Sequence, residues 1–219
     1  MKKVLITVFT VFILIFAVLF IFKNIYSDKR IEKSTVYAVV NGENITNDEI
    51  EYFKSRDKAE IINQFAEKYG ITDFADFWEK DFNGNSPEKA LEKKALSDAV
   101  EAKIKLVLMR DNGIYDDISF EGLKEKAERY NAEHKGKKGT VGISTVDLSS
   151  FYTYYVSTGE MELKNILAEG DLKPAREEID SLLNDNSELT ENGVISMIVS
   201  EKYDEMIKKI ISTAKTELK

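Results

Sequence analysis

Residues 40–53 read Val40-Asn41-Gly42-Glu43-Asn44-Ile45-Thr46-Asn47-Asp48-Glu49-Ile50-Glu51-Tyr52-Phe53, and this stretch decides the architecture. Asn41-Gly42 is a turn dipeptide, because a two-residue hairpin turn needs positive φ at both central positions. Upstream, the β-branched run VYAVV over 36–40 predicts a strand. Downstream, Thr46 and Glu49 have the spacing of a capping box. The Thr46 hydroxyl is set to accept from the Glu49 amide, and the Glu49 carboxylate to reach back. Ile50, Phe53, Ile61, Ile62, Phe65 and Tyr69 then recur in a mostly helical pattern, and Gly70 supplies a stop. Each polar group of the stretch has a local structural duty, so the motif reads as architecture and not as a site.

Working outward, a short aromatic helix is predicted over 73–80, carrying Phe74, Phe77 and Trp78. Ser86 as N-cap, Pro87 at the first helical position and Gly113 at the end bound the longest helix. A highly charged helix is predicted over 119–134, followed by the basic loop KGKKGT at 135–140. The pattern over 146–169 is helical, with a bend expected near Gly159. Pro174 opens a helix to 184, and 185–193 is rich in turn residues. Residues 194–199 read as a strand, 201–212 as a helix and TAKTEL at 213–218 as a closing strand. The expected fold class is therefore mostly α with a few short strands.

The N-terminus adds a different element. Residues 4–22 form a run without charge, behind Lys2 and Lys3 and long enough to span a bilayer. No small-x-small cleavage site follows it. The expected organisation is a transmembrane anchor or signal segment over 1–23, a polar linker over 24–35 and a folded body over 36–219. The two lysines ahead of the run favour a cytoplasmic start, which would put the body outside the cell as a single-pass membrane protein.

Charge narrows the partners. Residues 1–33 hold six basic and two acidic residues, leaving 25 basic and 37 acidic in the remainder. A body of net charge −12 is repelled by nucleic acid and by anionic headgroups, and suits basic or unfolded polypeptides. The chain has no cysteine and one histidine, His134. That excludes disulfides, thiol catalysis and zinc–thiolate sites, and offers no pattern for a metal, a cofactor or a serine–histidine triad. KGKKGT lacks the context of a phosphate-binding loop. What remains are two aromatic groups, Phe74, Phe77 and Trp78, and Phe151, Tyr152, Tyr154 and Tyr155. Four rings within five helical positions cannot all face one core. Some must face solvent or a ligand, and these seven are the candidate peptide-binding residues.

Residues 36–53, VYAVVNGENITNDEIEYF, resemble the opening of the SurA/PrsA-type extracytoplasmic chaperones. Val40-Asn41-Gly42, Ile45-Thr46 and Glu49 fill the family's pattern, with Tyr37 where a valine is usual. The segment from Phe77 to Ile114, FWEKDFNGNSPEKALEKKALSDAVEAKIKLVLMRDNGI, and the end from Lys202 through TAKTEL resemble further parts of the SurA N-terminal-like domain. The resemblance implies an N-terminal helical segment and a C-terminal helix folded together, holding unfolded or exported polypeptides without catalysis. Many members insert a parvulin prolyl-isomerase domain with a histidine pair, which this chain's single histidine does not match. The alternatives are a prolyl isomerase-related protein, or an accessory or immunity subunit of a membrane transporter.

Overall fold

The computed structural model describes residues 34–134, 145–185 and 188–219. The expected anchor at 4–22, most of the linker and the basic loop at 135–140 lie outside the described residues. Among the described residues no helix is long and apolar enough to cross a membrane. Val36–Lys219 form one compact unit, mostly helical with a small sheet.

The hairpin comes first: β1 (Val36–Val40) and β2 (Glu43–Thr46) pair antiparallel, with Val40 opposite Glu43 and Ala38 opposite Ile45. Asn41 (φ 50°) and Gly42 (φ 91°) make the turn, the left-handed pair a tight hairpin demands. Asn41 does more than turn the chain. Its Oδ1 accepts from the Lys215 amide at 3.0 Å, and its own amide donates to the Lys215 carbonyl at 3.0 Å. This pair of hydrogen bonds seats β3 (Thr216–Leu218) against β1, giving the sheet order β2-β1-β3. The first and last elements of the body are thereby joined.

Thr46 caps α1 (Asn47–Tyr69), its hydroxyl accepting from the Glu49 amide at 3.3 Å. The Glu49 carboxylate accepts from the Thr46 amide, closing the capping box. Gly70 (φ 63°) ends the helix in the left-handed conformation. Ser86 caps α2 (Pro87–Asp111) through the Lys89 amide at 3.3 Å. The long α1–α2 hairpin is the frame of the molecule. α3 (Phe120–His134) starts at Ser119, whose hydroxyl accepts from the Gly122 amide at 3.0 Å. Then come α4 (Leu148–Glu169), α5 (Arg176–Asp185) and α6 (Glu191–Thr213).

The main core lies between the sheet, α1, α2, α4 and α6, around Phe53, Met109, Leu163 and Tyr203. A second core at the far end of the α1–α2 hairpin joins Ile61, Phe65, Phe77 and Leu91. A third joins Ile179 of α5 to Val194 and Ile198 of α6.

Two expectations are corrected. Residues 194–199 are not a strand: they are the second turn onward of α6, which Thr190 caps through the Gly193 amide at 3.2 Å. Val194 and Ile198 face α5 while Val199, Tyr203 and Ile207 are buried elsewhere along the helix, so a four-residue spacing of buried groups overrides the β-branched run. The aromatic helix over 73–80 is only the single 3₁₀ turn Phe77–Glu79. Asp76 is left-handed there (φ 53°), and the Asp73 carboxylate takes the Ala75 amide at 3.0 Å, a local bond that competes with helix. Helix α4 runs unbroken through Gly159, whose role is described below.

Candidate functional site: a strip of half-buried rings

Helical spacing divides the four α4 rings. Tyr152 is buried in the main core, 4.9 Å from the Tyr52 ring and 5.8 Å from Phe53. Tyr154 points away and is 69% exposed. Phe151 and Tyr155, one turn apart, are half-buried. Their ring centroids lie 6.2 Å apart with planes 18° from parallel.

Three rings from other segments extend this pair. Tyr115, from the α2–α3 connection, stacks on Tyr155 at 4.0 Å and 14°. Tyr130 of α3 meets Phe151 at 5.9 Å, and His134, one turn on, stacks on Tyr130 at 4.1 Å. The result is a continuous series, Tyr115–Tyr155–Phe151–Tyr130–His134, running across α4 and α3. All five rings are half-buried, and Tyr115, Phe151 and Tyr155 pack against the main core. Offset and tilted stacks at these distances are favourable beyond area burial.

Gly159 makes the strip possible. A Cβ there would lie 2.6 Å from Tyr115 Cε2 and 2.7 Å from the Met109 sulfur. Because Gly159 has none, Tyr115 lies flat along α4 one turn after Tyr155, and its hydroxyl donates to the Tyr155 carbonyl at 2.7 Å. Gly159 thus provides a packing seat for Tyr115.

Charge gathers at the Tyr115 end. The Lys126 ammonium donates to the Tyr155 hydroxyl at 2.7 Å and to the Asp117 carbonyl at 3.1 Å. It lies over the Tyr155 and Tyr115 rings at 4.9 and 5.8 Å, within cation–π range. Burial, with Tyr155, Glu162 and Tyr154 adding to it, pushes the Tyr115 phenol up to about 12. Burial, with Asp117 and Asp116 adding to it, pushes Tyr155 up to about 12. Asp117 itself sits below the usual carboxylate range: its own burial opposes the shift, and the Ser119 hydroxyl, the Ser119 amide and Lys126 outweigh it. Asp116, Asp117 and Glu162 are exposed carboxylates around one end of the strip.

The other candidates lie elsewhere. Phe77 is buried in the second core, packed edge-on against Phe65 at 5.9 Å. Trp78 is half-buried against Phe77 at 4.9 Å and lines a shallow hollow with Lys54 and Leu91. Phe74 is 45% exposed, 5.8 Å from Phe77. The structure therefore does not bring the two aromatic groups together. Of the seven candidates, Phe77 and Tyr152 are core residues, since burial leaves them little surface for a ligand.

Sequence reasoning missed Tyr115, Tyr130 and His134. The i, i+4 spacing of Tyr130 and His134 was a readable signal. Tyr115 gave none, because a loop residue's packing partner is not encoded in local period. His134 Nδ1 lies 2.8 Å from the Tyr130 carbonyl, and the chain has no second histidine to form a catalytic pair. Among the described residues no group of His, Asp and Glu converges as metal ligands would.

Two other hollows flank α4. One of about 230 Å³ is lined by Arg56, Asp98, Glu101, Lys105 and Tyr152, but its charges answer one another: Arg56 pairs with Asp57 and Asp98, and Lys105 with Glu101 and Glu160. A groove of about 410 Å³ between α4 and α6 is spanned by Lys164, which donates to the Ser200 hydroxyl at 3.2 Å and covers the Tyr203 ring. No family model matches the chain, and no curated protein or solved structure matches it either.

Proposed function

We propose that Val36–Lys219 is an extracytoplasmic holding domain of the SurA N-terminal type, tethered by the N-terminal apolar segment, which binds unfolded or exported polypeptides without catalysis. The observation that carries this reading is the five-ring strip. An extended chain has alternating apolar side chains and no fixed partner. A series of half-buried rings offers it a long apolar rail. Such a surface binds broadly and weakly, because each contact is small and tolerant of side-chain identity.

The fold supports the reading in one further way. The family resemblance implies that the two ends of the body fold together, and β1–β3 pairing with the Asn41–Lys215 bonds joins the two ends of this body.

The test is suppression of aggregation of a denatured model polypeptide by the full chain, beside a proline-peptide exchange assay. Suppression that is lost in Phe151→Ser/Tyr130→Ser, with exchange at the uncatalysed rate, is the expected result. Acceleration of exchange would move the protein to the isomerase-related alternative. A stable stoichiometric membrane partner, with no suppression, would move it to the transporter-subunit alternative.

A further inference from the structure

The strip is electrically lopsided. Lys126 is a cation held by neutral groups, the Tyr155 hydroxyl and the Asp117 carbonyl, above two stacked phenol rings. Beyond it lie three exposed carboxylates. Asp116 and Asp117 act on the Tyr155 phenol, and Glu162 on Tyr115. Glu162 stands eleven residues after Phe151 and seven after Tyr155, on the same face of α4. Phenol faces, phenol oxygens and carboxylates together are what an ammonium or guanidinium group seeks. The chain demonstrates the first two with its own lysine.

We propose that the Tyr115–Tyr155 end of the strip is a cation subsite, selecting polypeptide segments in which a lysine or arginine adjoins an apolar or aromatic stretch, and that Lys126 occupies this subsite in cis until such a segment arrives. The proposal rests on the holding function above and adds the client class to it. The client's apolar residues lie along Phe151 and Tyr130. Its cation meets Asp116 and Glu162 and shares or takes the ring faces that Lys126 covers. Charge complementarity argues for this occupant over an acidic one: the body carries net charge −12, and the carboxylates nearest the strip are exposed. Lys126 also tunes selectivity, because its own charge repels an incoming cation until the two carboxylates outweigh it.

The experiment compares two synthetic peptides, one with an aromatic-rich stretch next to two lysines and one with glutamine in place of each lysine. Their affinities for the full chain are measured at low and high salt. The lysine peptide should bind tighter, with an advantage that shrinks as salt screens the carboxylates. Asp116→Asn/Glu162→Gln should cut that advantage by more than half and leave the glutamine peptide unchanged. Lys126→Met keeps the aliphatic stem and removes the internal cation, so it should tighten the lysine peptide by about five-fold, the scale of one partly exposed cation–π contact. Lys126→Gln, with circular dichroism on both variants, guards against misfolding as the cause. Equal binding of the two peptides by the wild type overturns the cation subsite and leaves the holding function standing. Binding of neither overturns both. A lysine-peptide advantage that Asp116→Asn/Glu162→Gln does not alter places the cation elsewhere and overturns the assignment.

Discussion

The Glu49 carboxylate stands 3.2 Å from the Lys103 ammonium, with the two side chains 1% and 3% exposed. This ion pair joins the start of α1 to the middle of α2 inside the core, off the favoured hydrogen-bonding direction at Oε2. Burial raises the Glu49 pKa, against Lys103 and the Thr46 amide, which lower it, and Glu121 raises it further. The native state thus holds the Glu49 proton more tightly than the unfolded chain does. Stability from this group is present below its ordinary value of 4.5 and declines as pH rises through the raised native value.

Lys103→Met removes the charge paired with Glu49 and leaves the carboxylate buried without it. At neutral pH the loss should be about 3–5 kcal/mol, because a buried charge is left uncompensated. The loss should shrink toward acid pH, where Glu49 takes up a proton. Glu49→Gln/Lys103→Met keeps an acceptor for the Thr46 amide and should recover more than half of the loss. Urea unfolding of the three proteins at several pH values checks this. A pH-independent loss would show that Lys103 acts through packing alone.

Gly159→Ala should destabilise by about 1–3 kcal/mol, the usual cost of overpacking a filled site. It should also dismantle the Tyr115–Tyr155 stack, read in the near-ultraviolet circular dichroism. Gly159→Ala/Tyr115→Ala should cost less than the sum of the two changes, since the new methyl and the displaced ring compete for one space. Strict additivity would mean that Tyr115 does not rest on Gly159.

The Asn41 side chain ties the hairpin to β3, so Asn41→Gly keeps the left-handed turn while deleting the bond to the Lys215 amide. About 1 kcal/mol should be lost, the worth of one hydrogen bond. Hydrogen exchange should rise at Lys215 and Lys219, whose amides bond to Asn41 Oδ1 and the Tyr37 carbonyl. Exchange unchanged at both would show that β3 is held by other contacts.

Tyr115 and Tyr155 are pushed up to about 12, and their raised values make the native state keep both protons after the unfolded chain would release them. Stability should therefore fall between the ordinary phenol value of 10.0 and about 12. In an absorbance titration, Tyr115→Phe and Tyr155→Phe should each remove amplitude near pH 12, ahead of Tyr152 and Tyr203, whose phenols burial pushes higher still.

The opening motif was legible because its signals are local. Asn41-Gly42, the Thr46–Glu49 box and the Gly70 stop each act within a few residues, and each element stands where its signal put it. Glu49 shows the limit: the box explained its backbone bonds, while its burial against Lys103 depends on α2, 54 residues away, which no local pattern encodes. The run at 194–199 misled for the same reason, as its Val194, Ile195 and Ile198 pack in the third core from one helix. In the strip, Phe151 and Tyr155 were readable as rings that could not all turn inward. Which rings would join them depended on the α2–α3 connection and on a glycine whose use is the space it leaves.

The most direct measurement places a photo-crosslinking residue in turn at Phe151, Tyr130, Tyr154 and Phe74 of the full chain and exposes it to a defined, permanently unfolded polypeptide bearing lysine-flanked aromatic stretches. The account predicts capture from 151 and 130, and little from 154, on the outer face of the same helix, or from 74 at the far core. Equal capture from all four positions, or capture only from 74, would contradict the claim that the ring strip is where a polypeptide is held.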